Sequence, residues 1–228
     1  MDRDLPAQAR QPLARSRLQR NGPEGLDDCG ALELLLAMGA PEPEAVLLAS
    51  RLLERYGDLR AVLDGPIDEL ASIEGMDDSR ALGLKIVRAT AALYLERGVE
   101  RDDSARDASR LEGLWRMRIG PLPNEVFEVA YLDGANRLLH DGIQRLSEGT
   151  IDRAVIYPRR ILETALKRGA AAVVLAHNHP NGHLQPSEHD KLLTRSVVLA
   201  AETIGLTVLD HFVVTANATF SLRKAGLL

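Results

Sequence analysis

The sequence contains a single cysteine, few aromatic residues and no long apolar run, and each of these limits what the protein can be. Because Cys29 is the only cysteine in 228 residues, an internal disulfide and a cysteine-ligated zinc cage are both excluded. Aromatic residues make up 4% of the chain, so we expect an aliphatic core. Apolar stretches such as residues 170–176 are far shorter than a membrane span. The polar first 20 residues lack the apolar segment of a signal peptide, and we therefore expect a cytoplasmic protein without a membrane partner.

Charge is distributed unevenly along the chain, although the formal total is only −5. Residues 1–110 hold 15 Lys and Arg against 21 Asp and Glu, whereas residues 111–228 hold 13 against 12. Within the acidic part, residues 1–20 carry five Arg and two Asp. Such a basic arm either contacts the phosphates of a nucleic acid or is a solvated tail, and the sequence leaves both interpretations open.

Two segments of different pattern indicate two domains behind the basic arm, which we place at residues 1–24. Apolar residues recur at helical spacing through residues 25–98 and predict an all-helical domain, in which Cys29 is a small core residue rather than a nucleophile. Residues 99–110 are almost all polar and have no apolar period, which predicts an interdomain linker. Residues 111–228 then form the second domain.

The second domain alternates strand patterns with helix patterns, which predicts a mixed α/β sheet flanked by helices. We expect strands at residues 126–132, 137–144, 171–176, 206–214 and 219–222. We expect helices at residues 159–168 and 187–204. The nearly continuous apolar run at residues 171–176 is typical of a buried central strand.

A histidine-rich segment at the end of the predicted central strand carries the clearest chemistry. His177 and His179 lie two positions apart, so both side chains project from one face of the strand. Ser187 is a candidate N-cap of the next helix, which places Asp190 in the first helical turn. Two imidazoles and a carboxylate leave a fourth position for water, which is typical of a catalytic zinc site. A lone His-x-His also arises by chance, so the spaced serine and aspartate carry much of the argument.

The whole segment resembles the JAMM metal motif of JAB/MPN-domain metalloproteases. It reads His-x-His, seven residues beginning with Pro180, then Ser187, two residues and Asp190. The sequence AHNHPNGHLQPSEHD, with GTIDRAVIYPRRILETALKRGAAAVVL before it and LDHFVV after it, is similar to the RadC family of that superfamily. The resemblance runs from about residue 124 onward. It implies a JAB/MPN-like mixed sheet flanked by helices, in a cytidine-deaminase-like layout.

The resemblance implies a role for each matching residue. His177, His179 and Asp190 would bind one zinc ion per chain. Ser187 would help to hold the tetrahedral intermediate or its oxyanion. Glu125, near the start of the domain, would be the general base that takes a proton from water and returns it to the leaving amine.

Four further residues remain as rivals or as supporting contacts. Glu128 and Glu148 are alternatives to Glu125 as the base. Glu128 is expected on the opposite face of the same strand, whereas Glu148 lies in a predicted turn from which it could reach the metal. Asp210 and His211 match an Asp-His pair of the family, and one of them is expected to orient a metal ligand.

The first domain resembles the N-terminal region of RadC proteins, and LASIEGMDDSRALGLK falls where that region carries a helix-hairpin-helix. Such a hairpin usually binds a phosphate through backbone amides next to two glycines. Here it reads Gly75-Met76-Asp77-Asp78, and its two carboxylates repel phosphate. We therefore expect the hairpin to persist as a structural module with weak or no affinity for DNA.

Three functions are compatible with these patterns. The leading interpretation is a RadC-like zinc metallopeptidase that hydrolyses amide or isopeptide bonds of a peptide or protein. The second is a DNA-associated repair or recombination accessory protein, whose metal serves nuclease chemistry or structure. The third is a non-catalytic interaction module. The acidic hairpin argues against the second interpretation, and the complete ligand set argues against the third.

Overall fold

A computed structural model describes residues 14–39, 41–101, 108–149 and 156–228 of the chain. The first 13 residues of the predicted basic arm, and residues 102–107 of the predicted linker, lie outside these ranges. The chain divides into two compact units, between Ala91 and Ala92. The predicted domain boundaries stay predictions, and each unit is described by itself.

The first unit is built from helices, as the apolar spacing predicts. Its described elements are α1 (Ala14–Asn21), a 3-10 turn (Gly22–Gly25), α2 (Asp28–Leu36), α3 (Glu42–Tyr56), α4 (Leu59–Asp64), α5 (Ile67–Ala71) and the start of α6 (Asp78–Arg101). Leucines dominate the shared core of these helices: Leu32, Leu36, Leu48, Leu52, Leu70 and Leu84. No helix is predicted at α1 from the sequence, because that segment is mostly polar and buries only Ala14.

Acidic residues begin three of these helices. Asp27 and Asp58 each accept a hydrogen bond from the backbone N–H three residues further on, at 2.8 Å and 2.7 Å. The carboxylate of Asp77 accepts one from the backbone N–H of Arg80 at 2.8 Å. These caps satisfy N–H groups that the first turn of a helix leaves unpaired. Part of the negative charge of the first unit therefore serves helix capping.

Cys29 is partly buried in α2, against the leucine core. Burial, and after it the negative charge of Glu33, raises the pKa of the thiol to about 11. Because the thiolate is the reactive form, we expect iodoacetamide at pH 8 to alkylate Cys29 on the order of 100-fold more slowly than a free cysteine. Unfolding in urea should restore the ordinary rate. Rapid alkylation of the folded protein would contradict the assignment of Cys29 to the core.

The second unit is a mixed α/β fold with five described strands. It contains the end of α6, α7 (Arg110–Arg118), β1 (Glu125–Leu132), β2 (Leu138–Gly149), α8 (Pro158–Arg168), β3 (Ala172–Asn178), α9 (Glu188–Glu202), β4 (Thr207–Val214) and β5 (Thr219–Ser221). The strand order is β2-β1-β3-β4-β5, with β3 and β4 parallel and the other neighbours antiparallel. The central strand β3 is buried along its whole length, as the apolar run predicts.

The register between β1 and β3 decides which side chains share a face of the sheet. Phe127 lies directly opposite His177. Because side chains alternate along a strand, Glu125 faces the same side as His177, whereas Glu128 faces the opposite side. The His177 side packs against α8 and α9. The opposite side packs around Trp115 of α7.

A buried ion cluster lies on the Trp115 side of the sheet. The completely buried carboxylate of Glu128 accepts a hydrogen bond from the indole Nε1 of Trp115 at 3.2 Å. It also accepts from the Nε of Arg118 at 3.2 Å and from the guanidinium of Arg145 at 3.3 Å. Arg118 in turn donates to Glu96 at 2.7 Å. The carboxylate of Glu128 therefore has a structural role on the Trp115 side of the sheet.

Two elements of the second unit differ from the prediction. Helix α7 is not predicted, because its polar sequence hides three buried residues: Leu111, Leu114 and Trp115. Strand β2 continues to Gly149, beyond its predicted end at residue 144. Among the described strands, β2 lies at the edge of the sheet and pairs only with β1. Its second half therefore lacks the strict apolar alternation on which the prediction depends.

Candidate metal centre

Two histidines and one aspartate converge at the end of the central strand. His177 lies in β3 and His179 follows two residues later, so both rings point to the same side of the sheet. Asp190 lies in the first turn of α9, behind the N-cap Ser187. His177 and His179 are only 5% and 8% exposed, and the Asp190 side chain is 13% exposed. The structure therefore brings together the three residues that the spacing singles out.

The distances between these side chains suit one small cation. The Nε2 of His177 lies 3.0 Å from the Nε2 of His179 and 3.3 Å from the Oδ1 of Asp190. The Nε2 of His179 lies 3.6 Å from the Oδ2 of Asp190. In a tetrahedral site with zinc–ligand bonds of about 2.05 Å, neighbouring ligand atoms are about 3.3 Å apart. The three residues therefore fit a single zinc ion with only small shifts.

The outer ring nitrogens of both histidines are engaged, which leaves their Nε2 atoms for an ion. The Nδ1–H of His179 donates to the carbonyl oxygen of His183 at 2.6 Å. The Nδ1 of His177 lies 2.9 Å from the Nε2 of His211, a completely buried residue of β4. A ligand histidine whose second nitrogen is bound in this way is fixed in orientation.

A reciprocal cap holds the carboxylate of Asp190 at the start of α9. The hydroxyl and the backbone N–H of Ser187 both donate to the Oδ2 of Asp190, at 2.6 Å and 2.7 Å. The backbone N–H of Asp190 donates in return to the hydroxyl oxygen of Ser187 at 3.2 Å. The predicted N-cap is confirmed. The oxyanion role of Ser187 stays a prediction, and it requires the hydroxyl to turn away from Asp190.

The three groups influence one another's protonation strongly. Burial acts to raise the pKa of Asp190, but its contacts with the rings of His177 and His179 outweigh burial and hold that pKa well below its usual range. The hydrogen bond to Asp190 raises the pKa of His179 against the opposing effect of burial. The carbonyl oxygen of His183 and the charge of Glu125 raise it further. A carboxylate that stays ionised in a mostly buried position favours a cation beside it.

Glu125 occupies the first position of β1 and is partly buried. It lies two residues before Phe127, whereas His179 lies two residues after His177, the partner of Phe127 in β3. The antiparallel register therefore brings Glu125 and His179 to the same side of the sheet. The charge of Glu125 contributes to the pKa of His179, which agrees with this proximity. A base that acts on water at the centre needs such a position.

Comparison with known proteins identifies the family. Residues 105–227 match the family described as RadC-like JAB domain. The chain belongs to this RadC-like family. Residues 3–82 match the family described as UPF0758 N-terminal.

Several bacterial relatives are similar over nearly the whole chain. A UPF0758 protein of Aromatoleum aromaticum is 39% identical over 94% of this chain and 95% of its own length. A UPF0758 protein of Burkholderia cenocepacia is 34% identical over 99% of this chain and 87% of its own. One of Burkholderia thailandensis is 37% identical over 94% and 81%. These names describe no reaction, so the similarity shows the RadC family and the JAB fold rather than an activity.

Asn178 supports the centre of this RadC-like domain, although the sequence assigns it no role beyond the resemblance. It is completely buried between the two histidines. Its Oδ1 accepts a hydrogen bond from the backbone N–H of Val126 at 2.7 Å. Its Nδ2 donates to the carbonyl oxygens of Leu122 and Asn124, at 3.1 Å each. These bonds tie the backbone on both sides of Glu125 to β3. The sequence contains one hint of this role. Asn178 lies between His177 and His179, and because side chains alternate along a strand, its amide points to the opposite face from the two histidines.

The structure separates one of the two rival bases, Glu128, from Glu125. Glu128 lies in the ion cluster on the opposite side of the RadC-like sheet, where it does not reach the converging ligands. The predicted turn at Glu148 is wrong, because Glu148 lies in strand β2 and its backbone pairs with Val126. Its side chain lies outside the described part of the structure. The assignment of the base to Glu125 rather than Glu148 stays a prediction.

Within the Asp-His pair of the RadC resemblance, His211 is the residue that contacts a candidate ligand. Burial, and after it the charge of His177, lowers the pKa of His211 well below its usual value. The carboxylate of Asp210 instead bonds to residues at and after the end of β5. It accepts hydrogen bonds from the hydroxyl of Ser221 at 2.5 Å and from the backbone N–H of Arg223 at 3.0 Å. Asp210 therefore ties β4 to the end of β5 and to the segment after it.

In the predicted helix-hairpin-helix of the first unit, a carboxylate of the hairpin caps the following helix, α6. Gly75 has a φ of +88°, in the left-handed region that glycine adopts readily. Asp77 caps α6, as described above. The guanidinium of Arg80 donates to the carbonyl oxygen of Gly75 and lies 2.9 Å from the carboxylate of Glu44. The carboxylate of Asp77 thus accepts from a backbone amide at the start of α6 and places negative charge at this hairpin.

Among the described residues, no helix is both long enough and apolar enough to cross a membrane.

Proposed function

We propose that the chain is a zinc-dependent hydrolase that cleaves amide or isopeptide bonds of a peptide or protein. The observation that carries this proposal is the convergence of His177, His179 and Asp190, whose ligand atoms lie within 4.8 Å of one another. Both histidines have their outer nitrogens engaged, so both Nε2 atoms face the centre. Three protein ligands leave one position for water or substrate, as in catalytic zinc sites. Membership of the RadC-like JAB family agrees with this reaction class.

The chain supplies the groups that move protons and bind charge in such a hydrolysis. When bound, a zinc ion supplies a Lewis acid that polarises a carbonyl and lowers the pKa of water to about 7. Glu125 accepts a proton from the attacking water and delivers it to the leaving amine, so that one water is added across the C–N bond. Asn178 holds the backbone around Glu125 in place. The hydroxyl of Ser187, once turned from Asp190, donates to the developing oxyanion.

Metal content tests the proposal directly. We expect the purified wild-type chain to bind about one zinc ion, as one three-ligand site requires. The His177→Ala, Asp190→Ala double variant should bind none, because one ligand remains. A matched control is the His183→Ala, His189→Ala double variant, which removes two exposed imidazoles and should keep the zinc. A wild-type chain without affinity for zinc would refute the proposed function, and loss of zinc in the control would refute the ligand set.

DNA binding is the second candidate function, and we propose that it is weak. The cap on α6 and the acidic residues of the hairpin support this view. Titration of the full chain with a DNA duplex at several salt concentrations measures the number of phosphate contacts. A steep salt dependence and submicromolar affinity would favour the accessory role in DNA repair instead. The cytoplasmic location and the peptide or protein substrate stay predictions.

A further inference from the structure

A continuous series of hydrogen bonds connects the candidate ligand His177 to the backbone of the candidate ligand Asp190. It begins at the Nδ1 of His177, 2.9 Å from the Nε2 of His211. The Nδ1 of His211 lies 2.6 Å from the hydroxyl oxygen of Thr194, in α9. That hydroxyl lies 2.6 Å from the main-chain carbonyl oxygen of Asp190, one helical turn earlier. Because His211 and Thr194 are completely buried, bulk water does not compete for these bonds.

The direction of every proton in this series follows from its last bond. A carbonyl oxygen is only an acceptor, so the single hydroxyl proton of Thr194 points to Asp190. The hydroxyl oxygen of Thr194 then accepts from His211, which places a proton on the Nδ1 of His211. A neutral imidazole carries one proton, so the Nε2 of His211 is an acceptor. The Nδ1 of His177 must therefore donate, and its Nε2 keeps the lone pair that faces His179 and Asp190.

We infer that Thr194 and His211 are positioning residues that select the metal-binding tautomer of His177. They also connect His177 on β3 to α9, the helix that carries Asp190, because His211 lies on β4 between the two elements. This inference rests on the proposed zinc site and extends it to two residues that touch neither the ion nor the substrate. Without the hydroxyl of Thr194, the proton of His211 has no acceptor at Nδ1 and moves to Nε2. His177 must then accept at Nδ1 and carry its own proton at Nε2, where it blocks the ion.

The test is the zinc affinity of two matched variants of the full chain, measured by competition with a chromogenic chelator. Thr194→Val keeps the shape of the side chain and removes the hydroxyl, whereas Thr194→Ser keeps the hydroxyl and removes the methyl group. We expect the valine variant to bind zinc about 10- to 100-fold more weakly, as loss of an outer-shell partner does in other zinc sites. The serine variant should bind like the wild-type chain.

A second measurement reads the tautomers themselves. The ¹⁵N chemical shifts of the imidazoles in the zinc-free protein, where no ion fixes the tautomers, should place the proton of His211 on Nδ1 and that of His177 on Nδ1. In Thr194→Val, the shifts of His211 should move toward the Nε2–H tautomer. A role of Thr194 in packing alone would leave this tautomer unchanged.

The outcomes separate this inference from the proposed function. Equal zinc affinity in Thr194→Val and wild type would overturn the inference while the zinc site stands. Equal weakening in the valine and serine variants would also overturn it, because the loss would follow volume rather than the hydroxyl. A proton on the Nε2 of His211 in the wild-type chain would overturn it as well. A wild-type chain that binds no zinc would refute the proposed function, and the inference with it.

Discussion

The Glu125→Gln variant is expected to lose about 10²- to 10⁴-fold in turnover while it binds zinc as the wild-type chain does. Glutamine has nearly the size of glutamate, but its amide accepts no proton from water at neutral pH. Glu125 is not among the three converging ligands, so the ion should remain. The measurement combines metal content with cleavage of a pool of internally quenched peptides and of a lysine isopeptide probe.

The Glu148→Gln variant is the control for this substitution, since Glu148 is the rival base. It should keep both zinc and turnover. Loss of turnover in Glu148→Gln, with activity retained in Glu125→Gln, would transfer the role of base to Glu148. Loss of zinc from Glu125→Gln would instead make Glu125 a fourth ligand.

The Glu128→Gln variant is expected to destabilise the second unit by about 3 kcal/mol, which is the lower end of the cost of breaking a buried ion pair. The substitution keeps the volume of the side chain but leaves Arg118 and Arg145 without the carboxylate that they share. The lower end applies because Arg118 keeps its bond to Glu96 and Arg145 is 39% exposed. The amide still accepts from Trp115, which limits the loss further.

Fluorescence of Trp115 provides the measurement, because it is the only tryptophan and lies in the second unit. Unfolding in urea should therefore show a lower midpoint in Glu128→Gln. The exposed pair Glu163–Arg159, at 2.6 Å, offers the matched control: Glu163→Gln should leave the midpoint nearly unchanged. A midpoint in Glu128→Gln equal to the wild type would show that the cluster contributes little to stability. The zinc content of Glu128→Gln should stay at the wild-type value, because Glu128 lies on the opposite face.

Local patterns were sufficient for most of the fold. The strand at 171–176 and the helix at 187–204 are predicted within a few residues of β3 and α9, because alternation and helical spacing act over short stretches. Helix α7 and the outer half of β2 are not predicted. In both, the few apolar side chains stand among polar residues and pack against distant parts of the chain.

The contacts that support the candidate metal centre, by contrast, could not be predicted from local patterns. Asn178 bonds to Val126 across 52 positions of sequence, and His177 meets His211 across 34. No spacing rule relates residues so far apart, because their contact depends on which strands pair and in which register. The resemblance narrows the second contact to Asp210 or His211, but only the geometry separates the two.

The sequence by itself determined the candidate ligands His177, His179 and Asp190 and the RadC family. A spacing of two on a strand and a first-turn position on a helix are local rules that hold before the chain folds. The tertiary structure decided that Glu128 is buried in an ion cluster, that Asn178 supports the base strand, and that His211 and Thr194 lie behind a ligand. These facts depend on the register of β1, β3 and β4 and on the packing of α9, which no short stretch of sequence contains.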